Sequence, residues 1–248
     1  MESVPTEPTV ASSPQPKFRV KVCGLVREED ARLVAEAGAD VVGAVLVSSS
    51  PRCVTPQQAA GLGRAAGLPL AVVVAGLSPE EVVAAATVAG ADIIQLHDDT
   101  PPEALARIRA GGRWELWKAA RVRSGAQMEE AARRYGELVE LLLLDAWHPQ
   151  QLGGTGHRFP WSELERCRAN LPPGLPLGVA GGLGPDSVAE AVRRLRPALV
   201  DVSSGVERSP GEKDPAKIRS FVHHARAAGA AIEPSATKSP TSSSQRDR

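Results

Sequence analysis

The sequence predicts an α/β protein folded as a single (β/α)8 barrel, and two observations carry that prediction. Eight short apolar runs alternate with eight helix-patterned stretches between Phe18 and Ala227, and regular βα alternation builds a parallel sheet. The last two runs both end in small residues. Pro176-Leu177-Gly178-Val179-Ala180 leads into Gly181-Gly182, and Ala198-Leu199-Val200 leads into Asp201-Val202-Ser203-Ser204-Gly205-Val206-Glu207. Turns of this kind leave backbone N–H groups free to hold an anion. Two of them after strands 7 and 8 are the usual phosphate-binding end of a TIM barrel.

Taken in order, the strand candidates are Phe18–Gly24, Val41–Val47, Leu70–Gly76, Ile93–His97, Trp114–Val122, Leu138–Asp145, Pro176–Gly182 and Leu199–Ser204. The helical patterns that follow them are Glu28–Ala37, Pro56–Ala66, Glu80–Ala89, Pro102–Ala110, Ala126–Tyr135, Trp161–Ala169, Pro185–Arg196 and Pro215–Ala227. Ser78-Pro79-Glu80-Glu81 and Thr55-Pro56-Gln57 supply helix starts, and Gly38, Gly90 and Gly111 supply stops. Successive units recur at roughly the 30-residue length of a βαβ motif. Eight units favour closure over an open doubly wound sheet, and no G-x-G-x-x-G follows the first strand.

A chain of 248 residues, 42% hydrophobic, can bury one barrel core. The segments outside it, residues 1–16 and 231–248, are rich in Pro, Ser and Thr and read as disordered tails around a 17–230 barrel domain. With 29 basic and 29 acidic residues the formal charge is zero, so no long-range field favours nucleic acid or an anionic membrane. A small-molecule substrate is the expected partner. The three cysteines, Cys23, Cys53 and Cys167, form no C-x-x-C pattern, which points to free thiols in a cytoplasmic setting and away from a zinc site or disulfide framework. No apolar stretch reaches the roughly 18 residues of a membrane span.

In such a barrel the chemistry lies where strands end. Those positions hold Cys23, the Ser50-Pro51-Arg52 loop, His97, Lys118, Asp145, Gly181-Gly182, and Asp201 with Ser203. Seven motifs then occur in order: Lys21-Val22-Cys23-Gly24, Ser50-Pro51-Arg52, Gln95-Leu96-His97, Leu144-Asp145, Gly153-Gly154-Thr155-Gly156, Ala180-Gly181-Gly182-Leu183, and Asp201 to Glu207 followed by Gly211-Glu212-Lys213-Asp214. Together they resemble the phosphoribosylanthranilate isomerases over about residues 18 to 226. The resemblance implies a barrel enzyme of tryptophan biosynthesis, working without metal or cofactor as a monomer or homodimer. It would convert N-(5-phosphoribosyl)anthranilate to 1-(2-carboxyphenylamino)-1-deoxyribulose 5-phosphate by an Amadori rearrangement.

That reaction needs one acid to open the ribose ring and one base to take the proton from C2. The resemblance places the base at Cys23 and the acid at Asp145. Strand parity agrees for Cys23: Phe18, Val20 and Val22 make an outward apolar face, which turns Arg19, Lys21 and Cys23 inward. Lys21 is then the candidate cation to favour thiolate; a buried structural thiol is the other reading. Asp145 ends four leucines, Leu141 to Leu144, where partial desolvation raises a carboxyl pKa; a loop or capping carboxylate is the bland alternative. Arg52 suits the anthranilate carboxylate through a bidentate grip, against a solvated loop arginine. Gly181, Gly182, Ser203, Ser204 and Gly205 are the expected phosphate contacts. Asp201 either accepts a ribose hydroxyl or neutralises Lys21 or Arg19 inside the barrel. His97 and Lys118 read as structural hydrogen-bonding residues, Cys53 and Cys167 as structural thiols, and Gly153 to Gly156 as a loop able to close over the ligand.

The chain departs from the family pattern at Ala44 and Leu46, where aromatics are usual. It also departs at Val73-Val74-Ala75, where Phe-Val-Asn is common, and at Asp98 in place of glycine. Two other classes fit the same fold. One is another sugar-phosphate barrel isomerase, such as the histidine-pathway enzyme, which carries Asp where this chain has Cys23. The other is a non-catalytic phosphate-binding barrel, against which the joint presence of Cys23, Asp145 and Arg52 argues.

Overall fold

The computed structural model describes residues 17–146 and 161–232. All eight expected strands form: β1 (Arg19–Val22), β2 (Val41–Val45), β3 (Leu70–Val74), β4 (Ile93–Leu96), β5 (Glu115–Val122), β6 (Leu141–Ala146), β7 (Leu177–Ala180) and β8 (Leu199–Val202). The helices are α1 (Glu28–Glu36), α2 (Pro56–Ala66), α3 (Pro79–Ala89), α4 (Pro102–Ala110), α5 (Gly125–Tyr135), α6 (Trp161–Cys167), α7 (Val188–Leu195) and α8 (Pro215–Ile232). The strands pair in parallel in sequence order, and β1 closes the barrel against β8 with Lys21 beside Asp201 and Val22 beside Val202. The expected tail at residues 1–16, most of the tail after 230 and the Gly153–Gly156 loop lie outside the described residues.

Strand alternation divides the apolar side chains into two cores. Val20, Val22, Val42, Val72, Ile94, Leu142, Leu144, Val179 and Val200 face the helices, whereas Val41, Ala71, Ile93, Trp117, Leu141, Leu143 and Leu199 fill the barrel. A buried residue such as Phe221 on α8 contributes roughly 1.5 to 3 kcal/mol by leaving water. Helix starts follow the expected chemistry: Thr55 with Gln58 and Ser78 with Glu81 form reciprocal capping boxes. Gly111 closes α4 as expected, though not through a left-handed turn. It keeps a right-handed conformation at the end of α4, and a Cβ there would lie 2.5 Å from Val83 Cγ2, so close packing against α3 is what calls for glycine.

The floor of the barrel, at the strands' N-terminal ends, is closed by charge. Arg19 forks onto Glu115 (Nη1 and Nη2 to Oε2, both 3.1 Å) and lies over the Trp117 ring, and Trp117 Nε1 donates to the same carboxylate. Asp40, Asp92 and Glu140, each just before a strand, accept backbone N–H bonds from Val20, Leu70 and Leu116 on the preceding strand, at 2.7, 2.8 and 2.7 Å. The repeated Ala-Gly-Ala-Asp before β2 and β4 marks two of these clasps in the sequence.

Two features were not legible from periodicity. After β8 a short antiparallel hairpin, β9 (Glu207–Ser209) and β10 (Glu212–Lys213), turns at Gly211 and folds over the mouth. Helix α8 also continues to Ile232, past the expected end at Ala227, and packs closely on the Phe18 ring at Gly229, where a Cβ would be 2.4 Å from it.

Candidate active site

Cys23 is the first residue after β1. Its N–H donates to Val202 O at 2.8 Å, which holds it at the C-terminal mouth next to β8. The thiol packs over Gly43 on β2, where an added Cβ would stand 2.8 Å from Sγ; no larger residue fits without displacing the sulfur. Behind it, Lys21 Nζ donates to Asp201 Oδ2 at 2.7 Å, both side chains being buried. Of the two readings of Asp201, the neutralising contact is present: its Oδ2 pairs with Lys21, while its buried Oδ1 has no hydrogen-bond partner among the described residues.

The electrostatics differ from expectation at the thiol. Burial pushes the Cys23 thiol up, and the Lys21 ammonium beside it only partly opposes this. Lys21 favours the thiolate as expected, but burial, helped by the Asp201 carboxylate, outweighs it. Burial works against the Lys21 charge as well, yet Asp201 and Cys23 outweigh it and hold the ammonium above the usual lysine range. Burial pushes the Asp201 carboxyl up and Lys21 pulls it back; the 2.7 Å contact favours the ionised pair.

Across the chamber, Asp145, the last residue but one of β6, has its carboxylate 3.3 Å from His97 Nε2, a separation without hydrogen-bond alignment. The leucine run isolates it less than the sequence suggested, because Leu142 and Leu144 turn to the helices and His97 borders the carboxylate. The fields of Asp145, His97 and Lys21 all reach Asp201, so the residues form one polar chamber. Inward-facing Gln95, unremarked in the sequence beyond its motif, adds a second buried oxygen without a partner, Oε1.

Arg52 is no solvated loop residue. It is buried, and it grips Glu207 side-on, Nε to Oε1 at 2.7 Å and Nη2 to Oε2 at 2.6 Å. Lys213 completes the cluster, donating to Glu207 Oε1 at 2.9 Å and to Ser203 O at 3.1 Å. Glu207 is held below the usual carboxylate range: burial raises it, but Arg52 and Lys213 outweigh burial. Sequence reading missed both partners as site residues, since 155 positions separate Arg52 from Glu207. Gly24, at φ +70°, makes the junction possible, because a Cβ there would meet Arg52 Cδ at 2.5 Å and Ser203 Oγ at 2.7 Å.

The two turns expected to hold phosphate do meet. Gly181 and Gly182 have φ of +83° and +68°, and a Cβ on Gly205 would lie 1.9 Å from Leu183 O. Ser203, Ser204 and Gly205 therefore abut the β7 turn at the edge of the chamber.

Lys118 stands apart from the mouth. With Trp117 and Ala119 turned inward, it points into the helix layer over the Tyr135 ring and donates to Ala119 O. Burial lowers its pKa to about 8, against the opposing pull of Asp98 and Asp99. Cys53 is exposed and Cys167 buried against Met128, both away from this chamber. Asp98, the departure after His97, accepts from Gly76 N and from Thr100 N, tying the loop after β3 to the loop after β4.

The comparisons with known proteins point to one family. Residues 20–224 match the family model described as N-(5′-phosphoribosyl)anthranilate (PRA) isomerase. The N-(5′-phosphoribosyl)anthranilate isomerase of Geobacter sulfurreducens is 42% identical over 212 residues, covering 84% of this chain and 98% of that protein. The crystal structure of the Thermotoga maritima enzyme superposes with a TM-score of 0.76 at 34% identity, covering 85% of this chain and 99% of that one. A phosphoribosyl anthranilate isomerase in complex with reduced 1-(o-carboxyphenylamino)-1-deoxyribulose 5-phosphate superposes with a TM-score of 0.73 at 32% identity, again over 85% and 99%.

Proposed function

This chain belongs to the N-(5′-phosphoribosyl)anthranilate isomerase family, and on that premise we propose how its residues divide the family's Amadori rearrangement between them. It is an isomerase of tryptophan biosynthesis that converts N-(5-phosphoribosyl)anthranilate to 1-(2-carboxyphenylamino)-1-deoxyribulose 5-phosphate. The observation that carries the residue assignment is the convergence of Cys23, Asp145 and the Lys21–Asp201 pair in one chamber, with Arg52 and the two glycine turns at its rim.

The substrate phosphate sits at Gly181-Gly182 and Ser203-Ser204-Gly205, and the anthranilate carboxylate meets the free edge of Arg52. The ribose then spans the chamber. Asp145 gives its proton to the ring oxygen, the C1–O bond breaks, and the nitrogen lone pair forms an iminium. Cys23, as thiolate, takes the proton from C2, and those electrons neutralise the iminium to give the enolamine, which tautomerises to the ketone. The iminium beside the sulfur favours the thiolate that burial alone disfavours. Asp201 Oδ1 and Gln95 Oε1, buried without partners among the described residues, supply acceptors for ribose hydroxyls.

Among the described residues no helix is long and apolar enough to cross a membrane, and three free thiols suit a cytoplasmic enzyme. A structure of the Thermotoga maritima enzyme is described as monomers generated from a dimeric isomerase; for this chain a monomer or a homodimer is proposed, which light scattering decides. The function is tested by loss of anthranilate fluorescence from freshly made phosphoribosylanthranilate. Purified, folded protein that produces no such loss would overturn it.

A further inference from the structure

Arg52 poses an electrostatic problem for carboxylate binding. A guanidinium gripped side-on by Glu207 at 2.7 and 2.6 Å is part of a neutral pair, and a neutral buried pair offers an incoming carboxylate little attraction to offset the loss of its hydration. Either Arg52 must leave Glu207, orphaning a buried anion, or a further positive charge must be present. That charge is at hand. Lys213 is among the most buried side chains of the protein, at 1% exposure, and its Nζ sits 2.9 Å from the Glu207 oxygen that Arg52 Nε also contacts. Two cations on one carboxylate leave the cluster at +1. The side-on grip also leaves the other edge of the guanidinium, Nη1 with the second Nη2 N–H, directed away from Glu207 and available for a second carboxylate.

The hairpin explains how the charge is delivered. β9 carries Glu207 and β10 carries Lys213, and Lys217 Nζ ties the backbone by donating to Glu207 O at 2.8 Å. Lys213 also bonds Ser203 O at 3.1 Å, so the same ammonium braces the start of the phosphate turn. Both Lys213 and Arg52 bear on the Cys23 thiol, which puts the cluster within electrostatic reach of the chamber.

We propose that Lys213 is a positioning and specificity residue. It supplies the net positive charge that lets Arg52 hold the substrate carboxylate while still bound to Glu207. The inference rests on the reading of Arg52 as the carboxylate ligand.

Steady-state kinetics with phosphoribosylanthranilate on a charge-balanced set of variants tests it. Lys213→Met makes the cluster neutral and should raise KM about tenfold or more, with kcat falling by a smaller factor because the Cys23 thiolate also loses a neighbouring positive charge. Lys213→Arg keeps the charge and should restore most of the loss. Glu207→Gln combined with Lys213→Met leaves Arg52 as the sole charge, again +1, and should bring KM back toward the parent value. A double variant as impaired as Lys213→Met, or worse, would overturn the inference in favour of a purely structural Lys213. Should Lys213→Met fail to fold, the double variant decides alone: KM within about threefold of the parent supports the charge account, and a tenfold rise sinks it. Arg52→Ala separates the two levels. If it leaves KM unchanged, the carboxylate reading of Arg52 falls and this inference with it. If it raises KM while Lys213→Met does not, only the role of Lys213 falls.

Discussion

The two ends of the barrel handle buried charge in opposite ways. At the floor, Arg19, Glu115 and Trp117 satisfy one another, and Asp40, Asp92 and Glu140 each close on a backbone N–H of the neighbouring strand. At the mouth, charges are also paired, but Asp201 Oδ1, Gln95 Oε1 and His97 Nε2 are buried without hydrogen-bond partners among the described residues. Since buried polar atoms are nearly always bonded, a set of exceptions gathered at one end marks where a polar ligand completes the structure. The floor's polar groups serve stability; the mouth keeps hydrogen-bonding capacity in reserve for substrate.

The largest effect expected from breaking this contrast lies at the proton-transfer pair. Cys23→Ser and Asp145→Asn should each lower turnover by at least the ~10²-fold typical of general acid–base groups, with little change in Tm. A folded Cys23→Ser variant turning over within a few fold of the parent would return Cys23 to the structural reading. The pH dependence has a definite sign. Burial raises the Cys23 thiol above its ordinary value, so the reactive thiolate gains population as pH rises through and beyond neutrality, and the rate of Cys23 alkylation in the free enzyme should climb with it. Alkylation already at its full rate below neutral pH would overturn that sign.

Arg52→Ala comes next. Loss of a desolvated charged contact with substrate should cost roughly 2 to 4 kcal/mol of transition-state binding, read as kcat/KM. A solvated loop arginine could be removed with little change in stability. The buried pair with Glu207 alters that: removing the guanidinium should also cost about 1 to 3 kcal/mol of folding stability, limited because Lys213 still pairs with Glu207. Unchanged kinetics with a lowered Tm would make Arg52 a structural cation.

The barrel was legible because its signals are local. Apolar runs such as Leu141 to Leu144 and Leu70 to Val74 announce strands, and Ser78-Pro79-Glu80-Glu81 announces a helix start; α2 and α4 begin and end where expected. The site was legible as positions at strand ends, and less so as interactions. Nothing local links Arg52 to Glu207, and the β9–β10 hairpin that presents Glu207 and Lys213 is too short for periodicity to reveal. Lys118 shows the limit of reading strand ends without parity. β5 runs four residues past it to Val122, and alternation with Trp117 and Ala119 sends it to the helices.

A floor clasp should give the converse of the mouth variants. Asp92→Ala leaves Leu70 N–H without its acceptor and should cost about 1 to 3 kcal/mol of stability, with kcat/KM within about twofold of the parent below the melting transition. A large kinetic loss with unchanged Tm would refute the division of labour between the two ends.

The smallest effect is expected at Asp98, which departs from the family pattern yet lies near the mouth. Its carboxylate accepts from Gly76 N on one loop and from Thr100 N on the next, so it stitches two loops together and leaves the chamber to His97 and Asp145. Burial acts to raise its pKa, but the bonds from Thr100 and Gly76, with the field of Lys118, outweigh this and hold the carboxyl below the usual aspartate range. A carboxyl depressed in the folded state contributes stability above its unfolded value and loses it as pH falls through the folded value. Asp98→Asn keeps the shape and one acceptor while removing the charge. It should therefore lower stability by about 0.5 to 1 kcal/mol at pH 7, seen as roughly 1 to 4 °C in Tm. The gap from the parent should narrow between pH 7 and the acid side of the ordinary carboxylate range, as Asp98 of the parent takes up its proton. Melting curves of both proteins at the two pH values measure this, and KM for phosphoribosylanthranilate should move by less than about twofold. A Tm gap that persists in acid would assign Asp98's contribution to shape, and a large rise in KM would move the residue from the loop stitch into the substrate site.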